Sequence, residues 1–267
     1  MDRVVLVTGA SSGIGKAVAE LLAESGFIVY GASRSGQLAI GSKVRLLVMD
    51  VTDEQSVLNG FNEIRKQHET MHAVINNAGL GMIGPIENTT PEDLRLLFET
   101  NLFGVHHVCR HALPLIRASQ GGYIINITSM AAQMGLPFRG AYCSSKFAVE
   151  GYSEALSQEV RKEGVRVVIV EPGDVKTSIN SNRKVVSSVS LLHATNFKEI
   201  NNQVNQEVLN GMSPDRVARV VLRILSCNSP ALRYRVAPPK AKLAYYLMRF
   251  LPDRLFESLI MSHYGIK

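Results

Sequence analysis

The sequence predicts an α/β fold: a single-domain, doubly wound parallel sheet of about seven strands with a C-terminal helical extension. Three observations predict it. Short runs of consecutive apolar, mostly β-branched residues recur as far as Val170, as expected for strands buried on both faces. Stretches with helical spacing separate these runs, which calls for parallel strands joined by right-handed crossovers. The first run leads through a glycine-rich turn straight into a helical pattern, the context in which such a turn can receive a phosphate.

Val4-Val5-Leu6-Val7 is the first strand, and Thr8-Gly9-Ala10-Ser11-Ser12-Gly13-Ile14-Gly15 is the turn that precedes the helical positions Ala17, Val18, Leu21 and Leu22. Gly9 permits the tight bend, Gly13 clears the approach of phosphate, and Gly15 lets helix and strand pack closely. The spacing is G-x-x-x-G-x-G rather than G-x-G-x-x-G. A second strand, Phe27 to Ala32, ends at Ser33-Arg34. An acid at this point would bond the ribose hydroxyls of NAD, whereas an arginine accommodates the 2′-phosphate of NADP, so Arg34 points to NADP(H). Val44 to Met49 makes a third strand ending at Asp50-Val51, and Thr52-Asp53 starts a helix as its cap. Met71 to Ile75 is the fourth and runs out into Asn76-Asn77-Ala78-Gly79. Asp50 and Asn77 thus stand at carboxyl ends of strands, where such sheets take ligands, although either also suits a cap.

Thr90-Pro91-Glu92-Asp93 opens a long helix with proline in its first turn and acids at the positive end of its dipole. Asn101 falls within the apolar run of that helix, and a buried amide needs partners. His106, His107 and His111 follow without a further ligand at metal spacing, so no metal is expected. Gly122 to Thr128 is the fifth strand and delivers Ser129; the loop Met130 to Gly140 leads on to Tyr142. Val165 to Val170 is the sixth strand, ending in Glu171-Pro172-Gly173. The polar texture from Ser178 onward makes residues 178–212 an expected substrate loop or lid. A helix from Pro214 to Leu225 and a short strand from Tyr234 to Ala237 complete a main domain of residues 1–237. In the tail, 238–267, Leu243, Leu247, Phe250 and Leu251 form a stripe, Pro252 breaks it, and Leu255, Leu259 and Ile260 resume it. Lys240, Lys242, Arg249 and Arg254 flank these positions, so the tail is expected to pack on the same domain, with contact to a membrane surface as the alternative.

The 267 residues, 46% of them hydrophobic, suffice for one substantial core. A net charge of +6 permits attraction to phosphate-bearing ligands, but no Lys/Arg stripe interleaved with aromatics is present, and no nucleic acid is expected. Three cysteines without paired spacing fit a reducing compartment. No apolar stretch is long enough to span a membrane, and the early charges Asp2 and Arg3 leave no room for a signal peptide, so the expected location is the cytoplasm.

The chemistry centres on Ala141-Tyr142-Cys143-Ser144-Ser145-Lys146. On a helix, Tyr142 and Lys146 are four apart and share a face. A phenol of pKa ~10 carries protons poorly at neutral pH until a cation stabilises its phenolate. Opposite charges ~4 Å apart interact by ~4 kcal/mol at an effective dielectric of ~20, and burial opposes part of this. The apolar residues Met82, Ile83, Met134, Leu136 and Phe138 with the segment Val185 to Phe197 suit a hydrophobic substrate or, equally, the core.

Together these residues resemble the short-chain dehydrogenase/reductase family in its compact, single-domain, Rossmann-type branch. The resemblance rests on the turn Thr8 to Gly15, Asp50-Val51, Asn76 to Gly79, Asn101, Ser129, Tyr142 with Lys146, and Pro172-Gly173 followed by Thr177. The wording around Asn101 and in the tail looks most like the 17β-hydroxysteroid dehydrogenase-like subgroup, which acts on steroids, retinoids and other lipophilic alcohols. The resemblance implies an NADP(H)-dependent oxidoreductase moving a hydride between nicotinamide and a lipophilic alcohol, ketone or aldehyde. It implies Tyr142 as general acid/base, Lys146 as the cation that lowers its pKa and holds the ribose, Ser129 as donor to the substrate oxygen, and Asn101 as holder of a water linking Lys146 to solvent. It implies coenzyme contacts from Gly9, Ser11, Ser12, Gly13, Ile14, Gly15, Arg34, Asp50, Val51, Asn77, Ala78, Gly79, Tyr142, Lys146, Pro172, Gly173, Val175 and Thr177. A homodimer or homotetramer is expected on the same basis. The alternative is a non-catalytic NADP(H)-sensing or scaffold subunit of the same fold; sugar-nucleotide epimerases share the Tyr/Lys logic but need a longer substrate domain.

Overall fold

β1 (Val4–Thr8) is buried along its whole length, as its uninterrupted apolar run requires, and α1 (Gly13–Glu24), β2 (Ile28–Ser33) and β3 (Arg45–Val48) follow it. The computed structural model describes residues 3–35, 43–177 and 183–266. After β3 come α2 (Glu54–Arg65), β4 (Ala73–Asn76), the short β5 (Met82–Ile83), α3 (Pro91–Phe98), α4 (Gly104–Ala118), β6 (Gly122–Ile127) and α5 (Gly140–Glu159). The chain continues through β7 (Val165–Pro172), the short β8 (Lys184–Val185), α6 (Ala194–Leu209), α7 (Pro214–Leu225), β9 (Arg233–Val236), α8 (Pro239–Phe250) and α9 (Asp253–His263).

Seven strands form one sheet in the order β3-β2-β1-β4-β6-β7-β9, every neighbouring pair parallel. Because side chains alternate across a strand, β1 serves two cores. Val4 and Leu6 join Val74, Ile124, Phe61 of α2 and Val108 of α4 on one face. Val5 and Val7 join Ile75, Ile125, Leu22 of α1 and Val221 of α7 on the other. Each fully buried side chain of this size contributes about 1.5–3 kcal/mol, so both layers hold the sheet. Strand order reverses between β1 and β4, and ligands of open α/β sheets bind outside the carboxyl ends at such a point.

Three expectations need correction. The segment expected as a lid contains a 16-residue helix, α6, with Ile200, Val204 and Val208 buried at intervals of four. Asn201, Asn202, Gln203 and Asn205 between them hide that period in the sequence; residues 178–182 of the same expectation lie outside the described residues. The long helix around Asn101 is two helices joined by a π-helical turn, Glu99–Phe103. In the tail Ile260 packs as its spacing suggests, but the other anchors differ: Leu243 and Phe250 are exposed, whereas Tyr245 packs with Met130 and Ala237, and Tyr264 packs with Ile83, Ile200 and Val204. The guanidinium of Arg235, its central carbon 3.6 Å from the Tyr245 centroid, explains the preference, since a cation over an aromatic face is attracted by the ring's quadrupole. Among the described residues no helix is long and apolar enough to cross a membrane.

Candidate active site

The carboxyl ends of β1, β4, β6 and β7 converge on one crevice. Thr8 closes β1, and its hydroxyl accepts from the backbone N–H groups of Asn77 and Ala78, each at 3.0 Å. The Asn77 amide donates to the carbonyls of Thr8 at 2.9 Å and Gly9 at 3.2 Å, so the end of β4 is stapled to the glycine turn. The turn also bonds the neighbouring strand, Ala10 N–H donating to the Ala32 carbonyl at 3.1 Å, which sets exposed Arg34 close by.

Glycine is required in this turn on steric grounds. Gly9 and Gly13 have φ of +66° and +55°, a region that other residues enter at a cost. A Cβ on Gly15 would stand 2.3 Å from both the Asn77 amide nitrogen and the Gly9 carbonyl oxygen. At Gly13 the tight neighbour is Thr177, 3.1 Å from such a Cβ, so the segment after β7 closes over the turn. Ser12 is the extended residue before α1, its side chain caps nothing, and the first turn of α1 holds no acid. The free N–H groups and positive dipole end of α1 therefore face a cradle without side chains, which fits a pyrophosphate. Ser11 is exposed with Ser12, whereas Ile14 packs into the core of α1. Asp50 is held by the Thr52 N–H and hydroxyl at 3.0 and 2.8 Å, and Val51 is buried against Gly104. Pro172 ends β7, Gly173 donates to the Val236 carbonyl at 2.9 Å, and Val175 is buried in a bridge with Met212.

The four residues expected to do chemistry sit around this crevice. Ser129 leaves β6 in an extended conformation and accepts from the Ala131 N–H at 3.1 Å; its side chain is near enough to the Tyr142 hydroxyl to favour the phenolate. Lys146, one turn along α5, is buried and donates to the Ile127 carbonyl at 3.2 Å. Asn101, also buried, occupies the π turn. Its amide nitrogen donates to the Leu80 carbonyl at 3.0 Å and to Ser145 Oγ at 2.9 Å, while its oxygen accepts from the Leu80 N–H at 2.8 Å. A Cβ on Gly79 would meet Asn101 Oδ1 at 3.2 Å and Lys146 Nζ at 3.5 Å, which puts the amide oxygen and the ammonium over the same glycine. The π turn rotates Asn101 inward, and such turns often mark functional positions. Ser145, Leu80 and Thr8 are site-forming residues that sequence reasoning missed; the partner that a buried Asn101 needs was the available signal for Ser145.

The electrostatics depart from expectation at Tyr142. Burial raises its pKa, and the nearby Ser129 side chain and the charge of Arg139 oppose that rise. Lys146 is itself disfavoured as a cation: burial lowers its pKa to about 8, with Glu150 acting in the other direction. Desolvation, which penalises both charged forms, leads both shifts, and neither group is among the causes acting on the other, contrary to the attraction expected from their spacing. The Lys146 pKa has a consequence for stability. Its folded value of about 8 lies below the usual 10.5, so the unfolded chain binds this proton more tightly and stability rises with pH across that interval. The cost, about 3 kcal/mol, is fully present below the lower value and fades toward the upper one. Lys146→Met should therefore be the more stable protein at pH 7, and its advantage in urea unfolding should shrink by pH 10; a constant difference would contradict the buried ammonium.

The profile of the short chain dehydrogenase family matches residues 3–185, which takes in the glycine turn, Asn101, Ser129, Tyr142 and Lys146. The chain belongs to the short-chain dehydrogenase family. Over 267 residues, 99% of either chain, this short-chain dehydrogenase is 38% identical to a 3-ketodihydrosphingosine reductase of Bacteroides thetaiotaomicron. It is 34% identical over 275 aligned positions to an NADPH-dependent 3-dehydrocapnine reductase of Ornithobacterium rhinotracheale, with 96% of this chain and 95% of the other covered. Its fold matches a crystal structure of a short-chain dehydrogenase from Streptomyces avermitilis with a TM-score of 0.83 and 28% identity, covering 99% of this chain and 98% of that one. Among the described residues no group of three His, Cys, Asp or Glu side chains is placed to hold a metal ion.

The apolar residues suspected of lining a substrate site divide. Ile83, Leu136, Phe138 and Phe197 cluster with Ile200, Val204 and Tyr264. Met82 is buried in β5, which pairs with β8, and Met134 joins no cluster of this face.

Proposed function

We propose that this short-chain dehydrogenase is an NADP(H)-dependent reductase of lipophilic ketones or aldehydes, able to run in the oxidative direction. The observation that supports it most is the gathering of Ser129, Tyr142, Lys146 and Asn101 at the carboxyl ends of β4 and β6 next to the glycine cradle. A reduced nicotinamide bound there would supply the hydride. Ser129 donates a hydrogen bond to the substrate oxygen, so the charge that develops on it is met by a fixed dipole. Tyr142 passes its proton to that oxygen as the carbonyl carbon becomes tetrahedral. Lys146, protonated at neutral pH, holds its charge near the phenol and replaces the proton that Tyr142 gives up. Asn101 keeps the Leu80 backbone and Ser145 fixed beside Lys146, and its oxygen, which accepts from the Leu80 N–H, lies over the same glycine as the ammonium, a position from which a water can be held for resupply.

The names of both relatives are those of reductases, one of them NADPH-dependent, which favours carbonyl reduction with NADPH. Their lipid-like substrates support the lipophilic part of the 17β-hydroxysteroid dehydrogenase-like reading, without a steroid nucleus being required. Arg34 is the residue proposed to meet the 2′-phosphate. Arg34→Ala should weaken NADPH at least about tenfold, the scale of a charge-assisted contact, and leave NADH within about threefold. Equal losses for both coenzymes in a fluorescence titration would remove Arg34 from that role. The reading as a whole is tested by following NADPH oxidation with long-chain ketones, steroids, retinal and quinones; binding of NADPH without turnover across that panel would favour a sensing or scaffold subunit.

A further inference from the structure

Arg139 precedes α5 and stands one turn before Tyr142. Its Nη2 donates to Tyr264 Oη at 2.5 Å, which ties the tail to the start of the catalytic helix. Its Nε is buried and, among the described residues, has no hydrogen-bond partner. The same is true of Arg183 Nε, although the Nη2 of that residue donates to Asn205 and, at 3.5 Å, to Asn201 on α6. The two guanidiniums are near enough that the charge of Arg139 disfavours the charge of Arg183, and the charge of Arg139 also reaches the Tyr142 phenol. A buried N–H left unpaired costs on the order of 1–3 kcal/mol, more beside a charge, so two together call for an acceptor. The acid facing Arg139 from the segment after β7 is Asp174, whose carboxyl is pushed up by burial. Glu207 on α6 is already engaged by His263 at 3.2 Å and Gln203 at 3.0 Å.

Next along the chain from Arg139, Pro137 and Phe138 wall an open cavity of about 370 Å³ together with Pro85, Ile86, His193 and Ile266, and the polar side chains on its wall are Glu87 and Asn196. Its walls are mostly apolar and include none of Tyr142, Ser129, Arg139 and Arg183, so the chain turns away from the cavity between Phe138 and Arg139. Phe138, adjacent to Arg139, is held at φ +58°, a strained conformation for an aromatic residue, and its ring packs on those of His193 and Phe197. The backbone is therefore bent between the apolar cavity wall and Arg139.

We propose that Arg139 and Arg183 form an anion-binding subsite, so that the substrate reduced at Tyr142 carries a carboxylate, sulfonate or phosphate near its carbonyl and a hydrocarbon chain directed into the apolar cavity. The substrate class rests on the reductase reading above; the subsite does not. The first test uses ligands without a carbonyl, measured by titration calorimetry on the full-length protein: octanoate and octanesulfonate against octan-1-ol and octylammonium. Either anion should bind at least about tenfold more tightly than the alcohol, the margin of a charge-assisted hydrogen bond, and the stronger of the two identifies the head group. That margin should vanish in Arg139→Met and in Arg183→Met and survive in part in Arg139→Lys. It should persist in Tyr264→Phe, which removes the tail contact while keeping both cations. Equal binding of all four ligands, a preference for octylammonium drawn by Asp174, or a loss in Tyr264→Phe as large as in Arg139→Met would overturn the subsite. In turnover, 3-oxooctanoate should exceed its methyl ester in kcat/KM, and Arg139→Met should lower that ratio about tenfold or more; an unchanged ratio counts against the proposal. Anion-selective binding with no turnover of either ketone would support the subsite and contradict the reductase reading, so the two fail separately.

Discussion

Tyr142→Phe should lower kcat by about 10²–10⁴, the contribution of a positioned general acid, while NADPH binds as it does to the unaltered protein. The substitution deletes one oxygen from a ring whose position is fixed by α5, with buried Cys143 and Ser145 on either side, so the fold has little reason to change. Only the approach of the hydroxyl to Ser129 and the proton itself are lost. Ser129 retains its second contact, the Ala131 N–H at 3.1 Å, and remains in place. A variant that kept a near-normal rate, with stopped-flow or steady-state NADPH oxidation as the readout, would mean that the proton comes from elsewhere.

Gly15→Ala should be comparably damaging for a different reason. A methyl group there would have to occupy space 2.3 Å from the Gly9 carbonyl oxygen and 2.3 Å from the Asn77 amide nitrogen. The first is backbone and the second is pinned by two hydrogen bonds, so neither can yield without breaking the staple between β1 and β4. Overpacking of this kind costs about 1–3 kcal/mol of stability, and the displaced turn should lose at least about tenfold in coenzyme affinity. Gly151→Ala on α5 is the matched control. An added Cβ there meets nothing within 4 Å, and replacing glycine inside a helix should stabilise by about 0.5–1 kcal/mol. Equal unfolding midpoints for the two variants would contradict the steric account of the glycine turn.

The sheet was legible in the sequence because strands buried on both faces need continuous apolar runs, and Val4 to Val7 or Val165 to Val170 permit little else. The glycine turn and the Tyr142/Lys146 pair were legible because their geometry is local. Contacts between distant residues were not. Thr177 reaching Gly13, Asn101 reaching Ser145, and Arg139 reaching Tyr264, 125 positions away, depend on the topology that brings strand ends together. Helix α6 was hidden because only a narrow stripe, Ile200, Val204 and Val208, is buried and everything between is polar. The tail misled for the opposite reason: leucines at helical spacing suggested the buried face, whereas Tyr245 and Tyr264 are chosen by the arginines they meet. Spacing also could not weigh desolvation against attraction, which is why burial rather than Lys146 governs the Tyr142 hydroxyl.

The most direct measurement is the fate of the hydrogen on the coenzyme. NADPH carrying two deuterium atoms at C4 of the nicotinamide ring, incubated with the protein and an accepted ketone, should yield an alcohol with one deuterium on the carbinol carbon. With Tyr142→Phe that labelled product should fall with the rate. Coenzyme consumed with no deuterium in the alcohol, or labelled alcohol formed equally fast without the Tyr142 hydroxyl, would contradict hydride transfer at this site.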